Sequence, residues 1–437
     1  MPGIQLPQLS EYDPAISAEG GLDPLGLYAI ADSLAVKLVP GVRERMLHPR
    51  YLTAMAVGNV FTRLYDDDDV AADGHSEPYL VYEWHVVEGI IRTRRDDPEL
   101  KRLPGSLKVK ECLRDHVRIS AARYLKTATV FGFHGVYRPF ADNLDIVKNN
   151  LLGENGYELL TAWEKEQELN GFVNGNNGNG LAVRQQLEVA IQDAMKKGAV
   201  SRSGGWNGWG FFGRHLFPNR IPPRERDCLK RFLLSEMDSS RAQVLRFLIS
   251  DKGRSIFGDS NSEEEFHQAL LPHVDEDTRH LIDTIVLYEK FSRLLQDAFD
   301  DCLEAMTKKK GPISPDELAQ TPGCHKAYRK IPNIFTKLGD HLEPFGETVR
   351  YLESFGEMGE STSPESWVNI LIDHHIKIQR QKPPHGKRPW FEKFDDGSVV
   401  VRARYRRNNG GQHDDAYVHA YRTNSLWSFA SDLELSG

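Results

Sequence analysis

Apolar residues recur at three- and four-residue intervals along most of the chain, the period of a helix that buries one face. Leu25, Leu27, Ile30, Leu34 and Leu38 share one side of a helix that Asp23 can cap and Pro24 can open, and Pro40-Gly41 ends it. Further helices are predicted over 49–65, 79–94, 107–125 and 181–197, and one or two more over 228–249. The strongest pattern runs over 277–307, where Phe291, Leu294, Leu295, Ala298, Phe299, Cys302, Leu303 and Met306 form a continuous stripe. Such a stripe is a core face. Another helix starts at Ser363-Pro364 and runs through Trp367, Ile370 and Leu371.

The period changes near the C-terminus. Asp396-Gly397 separates Trp390–Phe394 from Ser398–Tyr405, a strong hairpin signal. A last short helix is predicted over 425–433. The fold class is therefore mainly α: a helical multi-domain protein with a small C-terminal β-hairpin. The run Asn174 to Gly180 contains only Asn and Gly and predicts a flexible loop or boundary. Three regions follow: an N-terminal helical domain over 1–173, a helical domain over 181–310, and a C-terminal α+β module over 311–437. In 201–224, glycines interleave with Trp206, Trp209, Phe211 and Phe212. These aromatics are expected to pack the loop onto a core.

With 437 residues, the chain exceeds one ordinary core, and 40% hydrophobic with 27% charged residues is a globular composition. A net charge of −8 argues against a protein that coats nucleic acid through its bulk charge, but not against a local basic face. Cys112, Cys228, Cys302 and Cys324 are widely spaced, which predicts reduced thiols in a cytoplasmic protein rather than a metal or disulfide framework. Met1 to Gly20 has no apolar signal region, and no run approaches the length of a membrane span.

The segment 113–172 has its own order: a helix over 113–125, a turn at Thr127, Thr129 and Gly132, and a helix over 134–147 with Val136, Phe140, Leu144 and Val147 inward. A hairpin over 148–157, turning at Gly153-Glu154-Asn155-Gly156, leads into a helix over 157–170. Leu144-Asp145-Ile146-Val147 and Tyr157-Glu158-Leu159-Leu160-Thr161 resemble the bacterial winged helix-turn-helix class, over roughly 60 of the 437 residues. Pro139 inside the second helix departs from that pattern. The resemblance implies DNA as a partner, with His134, Tyr137, Arg138 and Asn143 exposed toward it and Lys126 and Lys148 near phosphates. Asp142, Asp145 and Glu154 would oppose a phosphate backbone. The overall layout is similar to uncharacterised components of bacterial anti-phage defence systems, which implies an ATPase- or helicase-type protein partner.

Between Lys377 and Arg407, ten Lys/Arg stand against three acids. Lys387, Arg388, Arg402, Arg404 and Arg406 are the candidate nucleic-acid contacts here. A strand over 398–405 would put Arg402 and Arg404 on one face. Motifs for phosphate loops, zinc helices and nucleophile elbows are lacking, so no catalytic residue, metal or cofactor is assigned. Together these features predict a nucleic-acid-binding adaptor or complex-assembly subunit. The alternatives are a protein-binding scaffold without DNA contact, and a hydrolase or nuclease built on the His374/His375 region.

Overall fold

Helices Tyr51–Thr62 and Pro78–Thr93 are buried around nearly their whole circumference, so other elements must cover them on several sides. Pro78–Thr93 packs against the helices Ser106–Arg114, Phe133–Asn143, Asn179–Lys197 and Trp209–His215 as well as Tyr51–Thr62. Its contact with Trp209–His215 needs Gly89, where a Cβ would stand 2.4 Å from the Phe212 ring. The computed structural model describes residues 23–95, 97, 98, 100, 103–218, 220–235, 239–260, 262–309, 311–383 and 385–435. The reading of Met1 to Gly20 lies outside the described residues.

The chain gathers into two units. One holds the described residues of 1–34 and 276–419, and the other holds those of 35–275 and 420–437. The Asn/Gly run at 174–180 lies within the second of these. The structure is mainly helical, and among the described residues its only sheets are two two-stranded antiparallel hairpins. No described helix is long and apolar enough to cross a membrane.

The first unit is organised by the 34-residue helix Glu276–Lys309 and its neighbour Pro322–Leu342. The predicted stripe is buried, with Phe291, Leu295, Ala298, Phe299, Cys302, Leu303 and Met306 at 2% exposure or less. A second stripe on the same helix is charged and also buried: Glu289, Arg293, Asp297 and Asp301, at four-residue intervals. It holds an irregular strap. The Asp301 carboxylate accepts the backbone N–H of Gly411 (2.8 Å), and that of Asp297 accepts Gln412 (3.1 Å). Arg293 donates to the carbonyls of Ala416 and Tyr417, and Glu289 accepts the N–H groups of Val418 and His419. These side chains replace the sheet or helix partners that the strap backbone lacks.

Asp23 accepts the N–H groups of Leu25, Gly26 and Tyr28, but residues 24–27 are not helical, Gly26 being left-handed, and the helix begins only at Tyr28. The C-terminal hairpin is present as predicted, with Phe391–Lys393 paired to Val399–Val401 and Gly397 left-handed in its turn. The strand is shorter than expected, because Ala403–Tyr405 turns as a 3-10 helix. Tyr405 thereby stacks on Trp390 at 4.7 Å, and no strand face carries Arg402 and Arg404 together.

Two further expectations are corrected. The helix predicted over 107–125 ends at Arg114, and His116 is left-handed. Ile119 and Tyr124 are each at most 4% exposed, and Ser120 bridges to Ala199, so burial and strand-like pairing override helix propensity there. The first helix of a helix-turn-helix is thus missing over 116–125. The hairpin is also displaced. It pairs Val147–Lys148 with Leu151–Leu152 and turns at Asn149-Asn150, both left-handed, as asparagine tolerates in a tight hairpin turn. Gly153 to Gly156 instead lead into the helix Glu154–Glu166, whose first N–H is accepted by the Asp145 carboxylate at 2.9 Å.

Candidate functional site

Helix Phe133–Asn143 and the following hairpin position most of the residues expected to touch DNA. They do not present them together. Tyr137 is 1% exposed, and its hydroxyl accepts the His48 N–H at 2.9 Å. His134 is 8% exposed and stacks on Tyr79 with ring centroids 3.9 Å apart. Neither can reach a duplex, because the helix turns this face into the core of its unit. Asn143 is exposed but its side-chain oxygen accepts from Arg241. Arg138 and Lys148 do lie at the surface.

The face around His134 is a cavity. Two adjoining lobes, of about 170 and 240 Å3, share Met55, His134, Val147, Asn149 and Asn150 as walls. The hairpin tip that closes one side is pinned in place. Asn59 donates to the Asn150 carbonyl at 2.6 Å, and the Asn150 amide donates to Asp67 at 3.2 Å. Behind His134 sits Glu83, 1% exposed, which accepts the His134 N–H (2.9 Å) and the Tyr124 hydroxyl (2.7 Å). Burial raises the Glu83 carboxyl to about 7 against those two hydrogen bonds. Gly132 is required beside it, since a Cβ would fall 2.1 Å from a Glu83 oxygen.

Burial, aided by the Arg138 charge, lowers the His134 imidazole to about 3, so it is neutral at physiological pH. Among the described residues, no protein group bonds its buried Nδ1. The buried hydroxyl of Tyr65, in the first lobe, also has no protein partner there. Burial, with Asp69 and Glu188 nearby, raises that phenol and keeps it protonated.

At the other end of Pro78–Thr93 lies an open groove of about 790 Å3 that the sequence reading missed. Arg92, Arg95, Lys110 and Arg114 line it with one acid, Glu111, over an apolar floor that includes Leu107 and Leu113. Arg92 is held by Glu88 and lies over the Trp209 ring, 5.3 Å from its centroid. The 201–224 loop thus packs as expected, with Trp209, Phe211 and Phe212 at 6% exposure or less. The signal for the groove was available. Residues 91–126 carry eleven Lys/Arg against five acids, but a single long helix would have spread them around its circumference.

In the other unit, three cations of the C-terminal basic stretch are in ion pairs. Lys393 meets Asp373, Arg402 meets Glu392, and Arg407 meets Asp300. Arg388, Arg404 and Arg406 are exposed, and Lys387 is half-buried. His374 and His375 are structural. His374 Nε2 donates to the Leu25 carbonyl at 2.7 Å. His375 Nδ1 donates to the Pro24 carbonyl at 2.9 Å, while its Nε2 accepts the Trp390 N–H at 3.0 Å. Tyr288 and Lys382 hold the carbonyls of Leu27 and Asp23 in the same segment. Among the described residues, no group of three or more His, Cys, Asp or Glu side chains is placed to hold a metal.

Compared with known proteins, the chain matches no family model, no curated protein and no solved structure.

Proposed function

We propose that this protein is a nucleic-acid-binding adaptor that holds a single strand in the groove at the end of Pro78–Thr93. The observation that carries the reading is four cations against one acid lining an open channel over an apolar floor. A basic groove tracks a phosphate backbone, and apolar and aromatic surface beside it suits unpaired bases. The surface around Arg138 and Lys148 suits phosphate less well, because Asp142 is exposed beside Arg138 and the acidic run Asp66–Asp69 flanks the hairpin tip.

The test is fluorescence anisotropy of a labelled single-stranded oligonucleotide against the full chain. With four cations engaged, the log–log salt slope is expected to be on the order of −2 to −3. Lys110→Glu/Arg114→Glu should weaken binding by at least tenfold and flatten that slope by roughly 1 to 2. Unchanged affinity in the double variant overturns the reading. Absence of any strand binding at low salt, with stable capture of a protein partner, turns the groove into a scaffold surface.

A further inference from the structure

Along the sequence the four cysteines stand far apart, and the fold brings two of them together. Cys302 lies on the helix Glu276–Lys309 and Cys324 on the helix Pro322–Leu342, and their Sγ atoms are 3.4 Å apart. Both side chains are buried, at 2% and 1% exposure. We propose that Cys302 and Cys324 are a redox pair that closes as a disulfide when the chain folds in the presence of a small disulfide oxidant such as oxidised glutathione. The pair is independent of the groove, which belongs to the other unit.

Backbone geometry is the first support. A disulfide between two helices needs Cβ atoms within about 3.5–4.5 Å of each other, and only a close crossing provides that. The crossing is close at the residue before Cys324. A Cβ on Gly323 would stand 2.8 Å from the Asp297 carbonyl oxygen and 2.9 Å from the Ala298 Cα, so the two backbones touch. Ala298 is one helical turn before Cys302. Two bonds hold the approach: the Asp301 carboxylate accepts the Gly323 N–H at 2.7 Å, and the Cys324 thiol donates to the Ala298 carbonyl at 3.7 Å. Drawing the sulfurs from 3.4 Å to the bonded distance of about 2.05 Å is within the reach of rotation about the two Cα–Cβ bonds. The other two cysteines supply the contrast. Cys112 donates to the Arg123 carbonyl and Cys228 accepts from Arg231, and among the described residues neither meets another thiol.

Burial decides when the bond forms. The Cys324 thiol and burial together push the Cys302 thiol well above its ordinary value, and an enclosed, protonated thiol reacts slowly. Exchange therefore runs before the helix pair has closed. A thiolate of one cysteine attacks a sulfur of the oxidant and expels the first glutathione thiolate. The second cysteine, brought up as the helices dock, attacks the protein sulfur of that mixed disulfide and expels the second. One S–S bond replaces two thiols, their two protons pass to the two glutathione thiolates, and the oxidant is reduced by two electrons.

The experiment is refolding of the full chain from urea in a buffer of oxidised and reduced glutathione, followed by alkylation of the remaining thiols and peptide mass spectrometry. Peptides joined through Cys302 and Cys324 are expected, with Cys112 and Cys228 alkylated. Cys112→Ser/Cys228→Ser should keep the bridge, and Cys324→Ala should abolish it. The double variant leaves the buried pair untouched, so the test stands even if Cys324→Ala folds poorly. Cys302 and Cys324 are 22 positions apart, and closing that segment should raise the urea midpoint of the oxidised chain by roughly 1 M. Dithiothreitol should reduce the bridge at least tenfold more slowly in the folded chain than in urea. The proposal is overturned if all four cysteines are alkylated, if Cys302 and Cys324 each carry a glutathione, or if Cys112 or Cys228 is bridged as readily.

Discussion

His375 and His134 are both buried imidazoles that burial lowers to about 3, yet they stand in opposite circumstances. His375 has both ring nitrogens bonded to backbone, and it ties the N-terminal segment of its unit to the hairpin at Trp390. His134 has a buried nitrogen with no protein partner and faces a cavity. Buried polar atoms without a hydrogen-bond partner among the described residues occur in both units, Asp297 Oδ2 and the Tyr351 hydroxyl in the first and His134 Nδ1 and the Tyr65 hydroxyl in the second. In the first, the buried stripe Glu289, Arg293, Asp297 and Asp301 is spent on the backbone of the strap. In the second, His134 Nδ1 and the Tyr65 hydroxyl are buried beside a cavity. Buried polarity that the chain itself satisfies is architecture.

The sharpest way to break this comparison is to remove both imidazoles in turn. His375→Ala leaves the Pro24 carbonyl and the Trp390 N–H unbonded and opens a cavity, so it should cost about 3–5 kcal/mol in urea unfolding. His134→Ala, with no side-chain partner to orphan, should cost clearly less. Equal losses would remove the distinction.

Acid titration sharpens it next. A histidine whose folded value lies below the ordinary 6.5 supplies stability that is complete above 6.5 and is lost as pH falls toward about 3. His375 and His134 both act in this direction, so the urea midpoint should drop through that window. His375→Gln should make the drop shallower, provided the amide keeps one of the two backbone bonds. A midpoint that is flat from pH 6.5 to 4 contradicts the buried, neutral state of both rings.

The smallest expected effect concerns Glu83, behind His134. Its folded value, raised from 4.5 to about 7, means that stability is greatest below 4.5 and declines as pH rises through 7. Glu83→Gln should remove that decline, about 3 kcal/mol between pH 4.5 and neutral pH. If the variant keeps the parent's slope over this interval, Glu83 is ionised in the fold at neutral pH.

Much of the fold was legible because its signals are local. The Asp396-Gly397 turn and the apolar stripe of Glu276–Lys309 each depend on neighbours within a few residues. The Glu289-Arg293-Asp297-Asp301 series was legible as spacing, though nothing in it names the strap it holds. The hairpin at Asn149-Asn150 was masked by a louder glycine signal four residues on. Asp145 and the close approach of Gly156 to the Ile146 carbonyl turned that glycine segment into a helix start.

By itself, then, the sequence determined the helical class, the long central helix and the position of the C-terminal hairpin, since periodicity and turn chemistry act over single elements. Tertiary structure alone decided where the helix after Gly105 stops, that His134 and Tyr137 face inward, and that Arg92, Arg95, Lys110 and Arg114 share a groove. Those outcomes depend on which surfaces meet, and burial against a distant partner is worth more than the few tenths of a kcal/mol by which local propensities differ.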